Sequence, residues 1–271
     1  MELCVSTFIN YRATLLETLP VFARHKIRNL EIWAVFTYGN EFHFPYWEKD
    51  YPDLLRTALE KYGISARLIH APFSESLDIS SLDETVRQET VQEIRRAIDA
   101  FSRLPETETV IVHPGGMLRE PEEEPERLRQ SRKSVLELAL FLEERQLRLA
   151  VENMPAGLVG TTPANLLTLI DGVSNAGICL DTGHAFISEA LTDFLDTAWD
   201  KIITFHISDT CDRKDRHLMP FAGKIDWNLF RQKIDDGKTP ELLTFEIRAR
   251  GNLNQELKQI KSIFDKLNEG G

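Results

Sequence analysis

Nine side chains of the kinds that hold divalent cations are spread along this sequence: His70, His113, Glu152, Asp181, His184, His206, Asp215, His217 and Glu246. Imidazole and carboxylate without thiolate suit Zn²⁺, Mn²⁺, Fe²⁺ or Co²⁺, whereas a site for Mg²⁺ or Ca²⁺ alone would carry fewer histidines. The set takes five of the chain's seven histidines. The other two, His25 and His43, are expected at the surface. The four carboxylates of the set would repel one another around a shared cavity unless cations neutralised them. Cys211 lies close to Asp215 in the chain, but with no second cysteine nearby it is not expected to touch a metal.

Such residues do chemistry only if something gathers them. Most of the nine end a short β-branched apolar run, and each run is followed by a longer stretch with helical spacing. The strands are expected at 3–8, 29–33, 65–70, 109–113, 147–152, 176–181, 201–207 and 241–247. Amphipathic helices are expected at 11–25, 47–61, 82–102, 124–146, 163–171, 184–198, 226–235 and 252–268. In the third of these, Val86, Thr90, Ile94, Ala97 and Phe101 form one apolar stripe. Eight alternating strand–helix units with right-handed crossovers predict a single α/β domain over residues 1–271, a (β/α)8 barrel with its metal site at the carboxyl rim of the strands. A doubly wound open sheet would carry a Gly-rich turn after its first strand, and Asn10-Tyr11-Arg12-Ala13 is not one.

Composition sets outer limits. The chain has 271 residues, 42% hydrophobic and 28% charged, which excludes collagen-like, mostly disordered and membrane-spanning classes. A net charge of −11 argues against a large nucleic-acid footprint, since an acidic surface repels phosphate. Three distant cysteines make no disulfide framework, and the N-terminus shows no signal peptide, so a cytoplasmic location is expected.

Several segments carry a resemblance: IVHPGG (111–116), VENMPAG (151–157), CLDTGHAF (179–186), HISDT (206–210), DRH (215–217) with IDW (225–227), and FEIR (245–248). Together they resemble the xylose isomerase-like TIM-barrel superfamily, which holds sugar phosphate isomerases and epimerases and the endonuclease IV group of apurinic-site nucleases. The match runs from the third strand to the eighth, and the first 65 residues carry no placeable motif. The resemblance implies a central metal held by Glu152, Asp181, His206 and Glu246. In endonuclease IV-like members a second ion would use His70 and His113 with Glu152 bridging, and a third would use His184, Asp215 and His217. Between one and three ions are therefore implied. In the isomerases the corresponding histidine and aspartate often contact sugar instead.

The isomerase reading implies a small-molecule sugar or sugar-phosphate substrate. The cation would bind adjacent carbonyl and hydroxyl oxygens, and Glu152 and Glu246 would remove and return a carbon-bound proton through an enediolate. His184 and His217 would contact substrate, and Arg248 could hold a substrate oxygen or phosphate. Phe221, where many relatives have glycine, is expected to narrow the pocket. The alternative is a metal-dependent apurinic-site endonuclease or phosphodiesterase, the only reading that makes nucleic acid a partner. Phe42, Phe44, Tyr46 and Trp47 either wall the pocket or pack a long loop. The acidic run 119–127 is expected to serve the start of a helix. Arg213, Lys214 and Arg216 are too few for a duplex-binding surface.

Overall fold

The computed structural model describes residues 1–35, 43–235 and 239–268; Phe42 lies outside them. Eight parallel strands close into a barrel in chain order: β1 Glu2–Ser6, β2 Asn29–Trp33, β3 Ser65–His70, β4 Thr109–Val112, β5 Arg148–Glu152, β6 Ala176–Asp181, β7 Ile202–Ile207 and β8 Leu242–Phe245. Closure pairs Cys4 with Thr244 and Val5 with Phe245. The helices are α1 Leu15–Arg24, α2 Tyr51–Tyr62, α3 Glu84–Phe101, α4 Glu124–Glu143, α5 Pro163–Ile170, α6 Thr182–Ile187, α7 Leu191–Thr197, α8 Trp227–Asp235 and α9 Leu253–Asn268. The fold is the expected (β/α)8 barrel. Strands β2, β3 and β6 have the expected limits, β4, β5 and β7 differ by one residue at one end, and β1 and β8 by one or two residues at both ends.

Local chemistry explains the helix boundaries. Thr14 and Thr162 cap α1 and α5 through reciprocal bonds with Glu17 and Asn165. Gly63 ends α2 in a left-handed conformation, φ 59°. The helix expected over 184–198 is instead two, because Glu189 sits at φ 55°, through which a right-handed helix cannot run. The acidic run does open α4, placing Glu124 and Glu126 in its first turn.

Two apolar layers hold the barrel. The outer one packs strands against helices around fully buried Phe22, Phe101, Phe194, Phe205, Phe230 and Phe245. The inner one is a plug of Cys4, Leu68, Ile111, Ala150, Cys179 and Leu242, contributed by six strands. At the amino ends of the strands Arg67 pairs with Glu108 at 2.6 Å, Glu241 at 3.1 Å and Glu2 at 3.5 Å. The interior is therefore packed, and the open end is the carboxyl rim. Among the described residues no helix is long and apolar enough to cross a membrane.

Candidate metal centre

The alternation of side chains along each strand turns one set of termini toward a common centre. His70, Glu152 and Asp181 are the last residues of β3, β5 and β6, and His206 is next to last in β7. His113 and Glu246 follow β4 and β8 by one residue. Glu152 is the hub. Its Oε2 lies 3.2 Å from His70 Nε2 and 3.4 Å from His113 Nε2, while its Oε1 lies 3.2 Å from His206 Nδ1 and 3.3 Å from His184 Nδ1. His206 Nδ1 is also 3.4 Å from Glu246 Oε2. Two donor groups result, His70–His113–Glu152 and Glu152–Asp181–His206–Glu246, each with all its donor atoms within 4.8 Å of one another.

The hydrogen bonds on the far sides of the imidazoles show that this cluster fits a cation. His206 Nε2 donates to Glu31 Oε2 at 2.7 Å, and His70 Nδ1 donates to the Ala71 carbonyl at 3.0 Å. With those protons committed, the opposite nitrogens present lone pairs to the Glu152 carboxylate. In the neutral rings lone pair would face lone pair, which is repulsive unless a proton or a metal cation lies between them, and the surrounding carboxylates favour positive charge there. Both Glu152 oxygens, Asp181 Oδ2 and His206 Nδ1 are buried without a hydrogen-bond partner. Four such atoms in one place are what a metal-binding set looks like without its ion. A buried His/Glu/Asp cluster fitting a divalent metal is thus present at the rim.

Residues 26–267 match the sequence model of the xylose isomerase-like TIM barrel. The chain belongs to this family. The match begins just before β2, one strand earlier than the motifs alone indicated. A solved D-tagatose 3-epimerase-like protein is 26% identical, with a TM-score of 0.83 over 99% of this chain and 97% of that one. The IolI protein, solved with a bound zinc atom, superposes with a TM-score of 0.84 at 17% identity, over 99% of this chain and 98% of that one. A probable endonuclease 4 of Protochlamydia amoebophila is 29% identical over 124 residues, 39% of this chain and 44% of that protein.

Around this xylose isomerase-like centre, His184, Asp215 and His217 meet through one carboxylate oxygen, Asp215 Oδ2, at 3.4 Å and 2.8 Å. They do not converge into a third group as tight as the other two. Cys211 is exposed and outside both groups. The rim opens into a cavity of about 600 Å³ that Glu152, Glu246, His70, His113, His184, Asp215, His217 and Arg248 help to line. Phe221 is not among its walls, contrary to expectation. Its φ of 69° turns the ring onto Trp227, centroids 5.7 Å apart, with the Lys266 ammonium 3.6 Å above it. Phe44 and Tyr46 pack in the core, Trp47 is exposed, and the aromatic wall is Phe8, Trp33 and Phe73. Of the basic cluster, Arg213 pairs with Glu189 and Arg216 with Asp212.

Three positioning residues escaped the sequence reading. Glu31, fully buried on β2, orients His206. Asn153 bonds both the amide and the carbonyl of Asp181, and its own carbonyl accepts from His184 Nδ1. Asp209 gathers the Gly223 and Ile225 amides and the Trp227 indole, tying down the loop that carries Asp215 and His217. A Cβ at Gly223 would fall 2.2 Å from Asp209 Oδ1, so only glycine fits there. His43, expected at the surface, is buried, with Nε2 facing the Asn10 and Ala13 carbonyls. Burial holds its pKa down to about 4.

Burial lifts the Glu246 carboxyl to about 7, with Glu152 and Glu31 adding to the rise against His206 and His217. Burial would lower His217, but Asp215 and Glu246 win and hold it up at about 9. Both shifts act in one direction. A histidine raised above its ordinary 6.5 contributes stability that is complete below that value and lost as pH climbs through about 9. A glutamate raised from 4.5 to about 7 makes folding less favourable as pH rises across that interval. Below about 6.5, His43 and His113, both held down at about 4 by burial, oppose this by gaining stability as pH rises, so the cation-free protein should lose Tm between about pH 6.5 and 9. Added Zn²⁺ or Mn²⁺ should restore it, most strongly at the alkaline end. Calorimetry across this range checks the sign, and a Tm that rises with pH without metal would contradict it.

Proposed function

We propose that this chain is a divalent-metal-dependent sugar or sugar-phosphate isomerase or epimerase in which Glu152 and Glu246 handle the proton. One observation carries the reading. Of the four central donors, only these two glutamates line the cavity, while Asp181 and His206 lie beneath it. A cation held by Glu152, Asp181, His206 and Glu246 would be Zn²⁺, Mn²⁺, Fe²⁺ or Co²⁺ by donor type, and would supply Lewis-acid polarisation of a sugar carbonyl and its neighbouring hydroxyl. One glutamate takes the carbon-bound proton, and the other returns a proton to the same or the adjacent carbon. His184, Asp215 and His217 serve sugar hydroxyls, and Arg248, held 4.9 Å over the Tyr11 ring, anchors a substrate oxygen or phosphate. The D-tagatose 3-epimerase-like relative and the zinc-bearing IolI structure support this assignment.

The second reading, phosphodiester cleavage at abasic sites, draws on the His70–His113–Glu152 group and the stretch of likeness to a probable endonuclease 4. The net charge of −11 and the loosely joined His184, Asp215 and His217 weigh against it. Incubation with abasic-site duplex and Mn²⁺ or Zn²⁺ should leave the DNA intact. Efficient incision that disappears in Glu152→Gln would replace the sugar reading with the hydrolytic one.

A further inference from the structure

We propose that the substrate is an amphiphilic sugar, a ketose bearing an apolar substituent at the end remote from its carbonyl; this rests on the sugar reading above. The cavity has two unlike ends. The cation-binding cluster, Asp215, His217 and Arg248 occupy one. The other is an apolar arm on the β3–β5 side of the rim, with the buried Ile79, Ile94 and Val112 as its floor and the more open Leu77, Met117 and Leu158 at its edge. Met117 and Leu158 come from two loops that pair with each other, with the Leu118 amide donating to the Gly157 carbonyl at 2.9 Å and the Val159 amide to the Gly116 carbonyl at 3.2 Å. Met117 is 73% exposed, the most exposed large apolar residue among those described.

Volume and bonding together select the occupant. Counted generously at the roughly 30 Å³ of a liquid water molecule per heavy atom, the dozen heavy atoms of a ketohexose fill at most about 360 Å³. About two fifths of the 600 Å³ cavity is left over. A second sugar ring would need hydrogen-bond partners there. Of the polar side chains on this side, Ser74 already bonds Ser76, Glu75 lies out at the exposed mouth, and Asp78 and Thr90 are engaged. Asp78 is paired with Arg127 and accepts from Ser80 and the Gly116 amide, while Thr90 accepts from the Asp78 amide and donates to the Val86 carbonyl. An alkyl or aryl group matches these walls, and a hydroxylated one does not. Continuity with the catalytic end makes the occupant part of the substrate.

The test uses the zinc- or manganese-loaded protein with a ketohexose and its 6-O-methyl, 6-O-propyl and 6-O-hexyl ethers. Exchange of the carbon-bound hydrogen in deuterated water on the parent sugar tests the sugar reading alone. Ligand-induced Tm shift across the ether series tests the arm whether or not turnover occurs. Each methylene that enters the arm should tighten binding about three- to fourfold until the arm is full. In turnover the gain should appear in KM more than in kcat, because the arm is remote from the reacting carbon. Met117→Glu, at an exposed position that should leave the fold intact, should bring the hexyl-to-parent affinity ratio toward one. A flat series, or a rising one that Met117→Glu leaves unchanged, overturns the proposal.

Discussion

Replacing Glu246 by glutamine is expected to slow exchange of the substrate's carbon-bound hydrogen with deuterated water by at least about a hundredfold, since a positioned acid or base contributes roughly 10²–10⁴ in rate. The change keeps side-chain size and removes a charge and a proton acceptor. Glu246 is buried against His206 and His217, so weakened cation binding adds to the loss. The same substitution at Glu241 is the control. That residue sits at the other end of β8, mostly exposed, as one of three partners of Arg67. Turnover there should stay within about threefold, because the amino end of a barrel serves stability. Equal losses at both positions would point to folding and strip Glu246 of its role.

The second large effect is expected at a residue that touches neither cavity nor reacting carbon. Glu31→Leu leaves His206 Nε2–H without its acceptor in a fully buried place. The proton then stays unpaired or moves to Nδ1, the nitrogen that faces Glu152 and Glu246. Either way a donor to the cation is lost or misaimed. Partners of this kind are typically worth 10- to 100-fold in metal affinity, so zinc affinity by chelator competition should fall by about that factor. Glu31→Gln keeps an oxygen acceptor and should recover most of the affinity. Unchanged zinc binding in a folded Glu31→Leu protein would rule out the orienting role.

Why the rim was legible and Glu31 was not follows from what each residue looks like in the chain. His70, Glu152 and Asp181 end apolar runs, where a polar residue marks the step from packed strand to open rim. Glu31 lies inside such a run, NLEIW, and alternation alone makes a mid-strand carboxylate look solvent-facing. Its burial is decided by β7, whose His206 meets it 175 residues later. His43 was misjudged for a similar reason, since its ring meets the Asn10 and Ala13 carbonyls and the Thr7 hydroxyl, all far from it in the chain. Phe221 was aimed at the cavity on the strength of the loop's glycine pattern. A single left-handed φ sends it the other way.

The barrel divides its labour by halves. All four central donors come from β5 to β8 and the residue that follows β8, within the second half of the chain. Phe8, Trp33, Phe73 and most of the apolar arm come from the first half, which also lends Glu31 from beneath. The segments that meet a substrate's outer groups can therefore drift, lengthen or be grafted from another barrel while the electrophilic centre stays as it is. Closure through β1 and β8 brings the two back into register whatever the loops between them carry. A lineage built this way can acquire new substrates without inventing new chemistry.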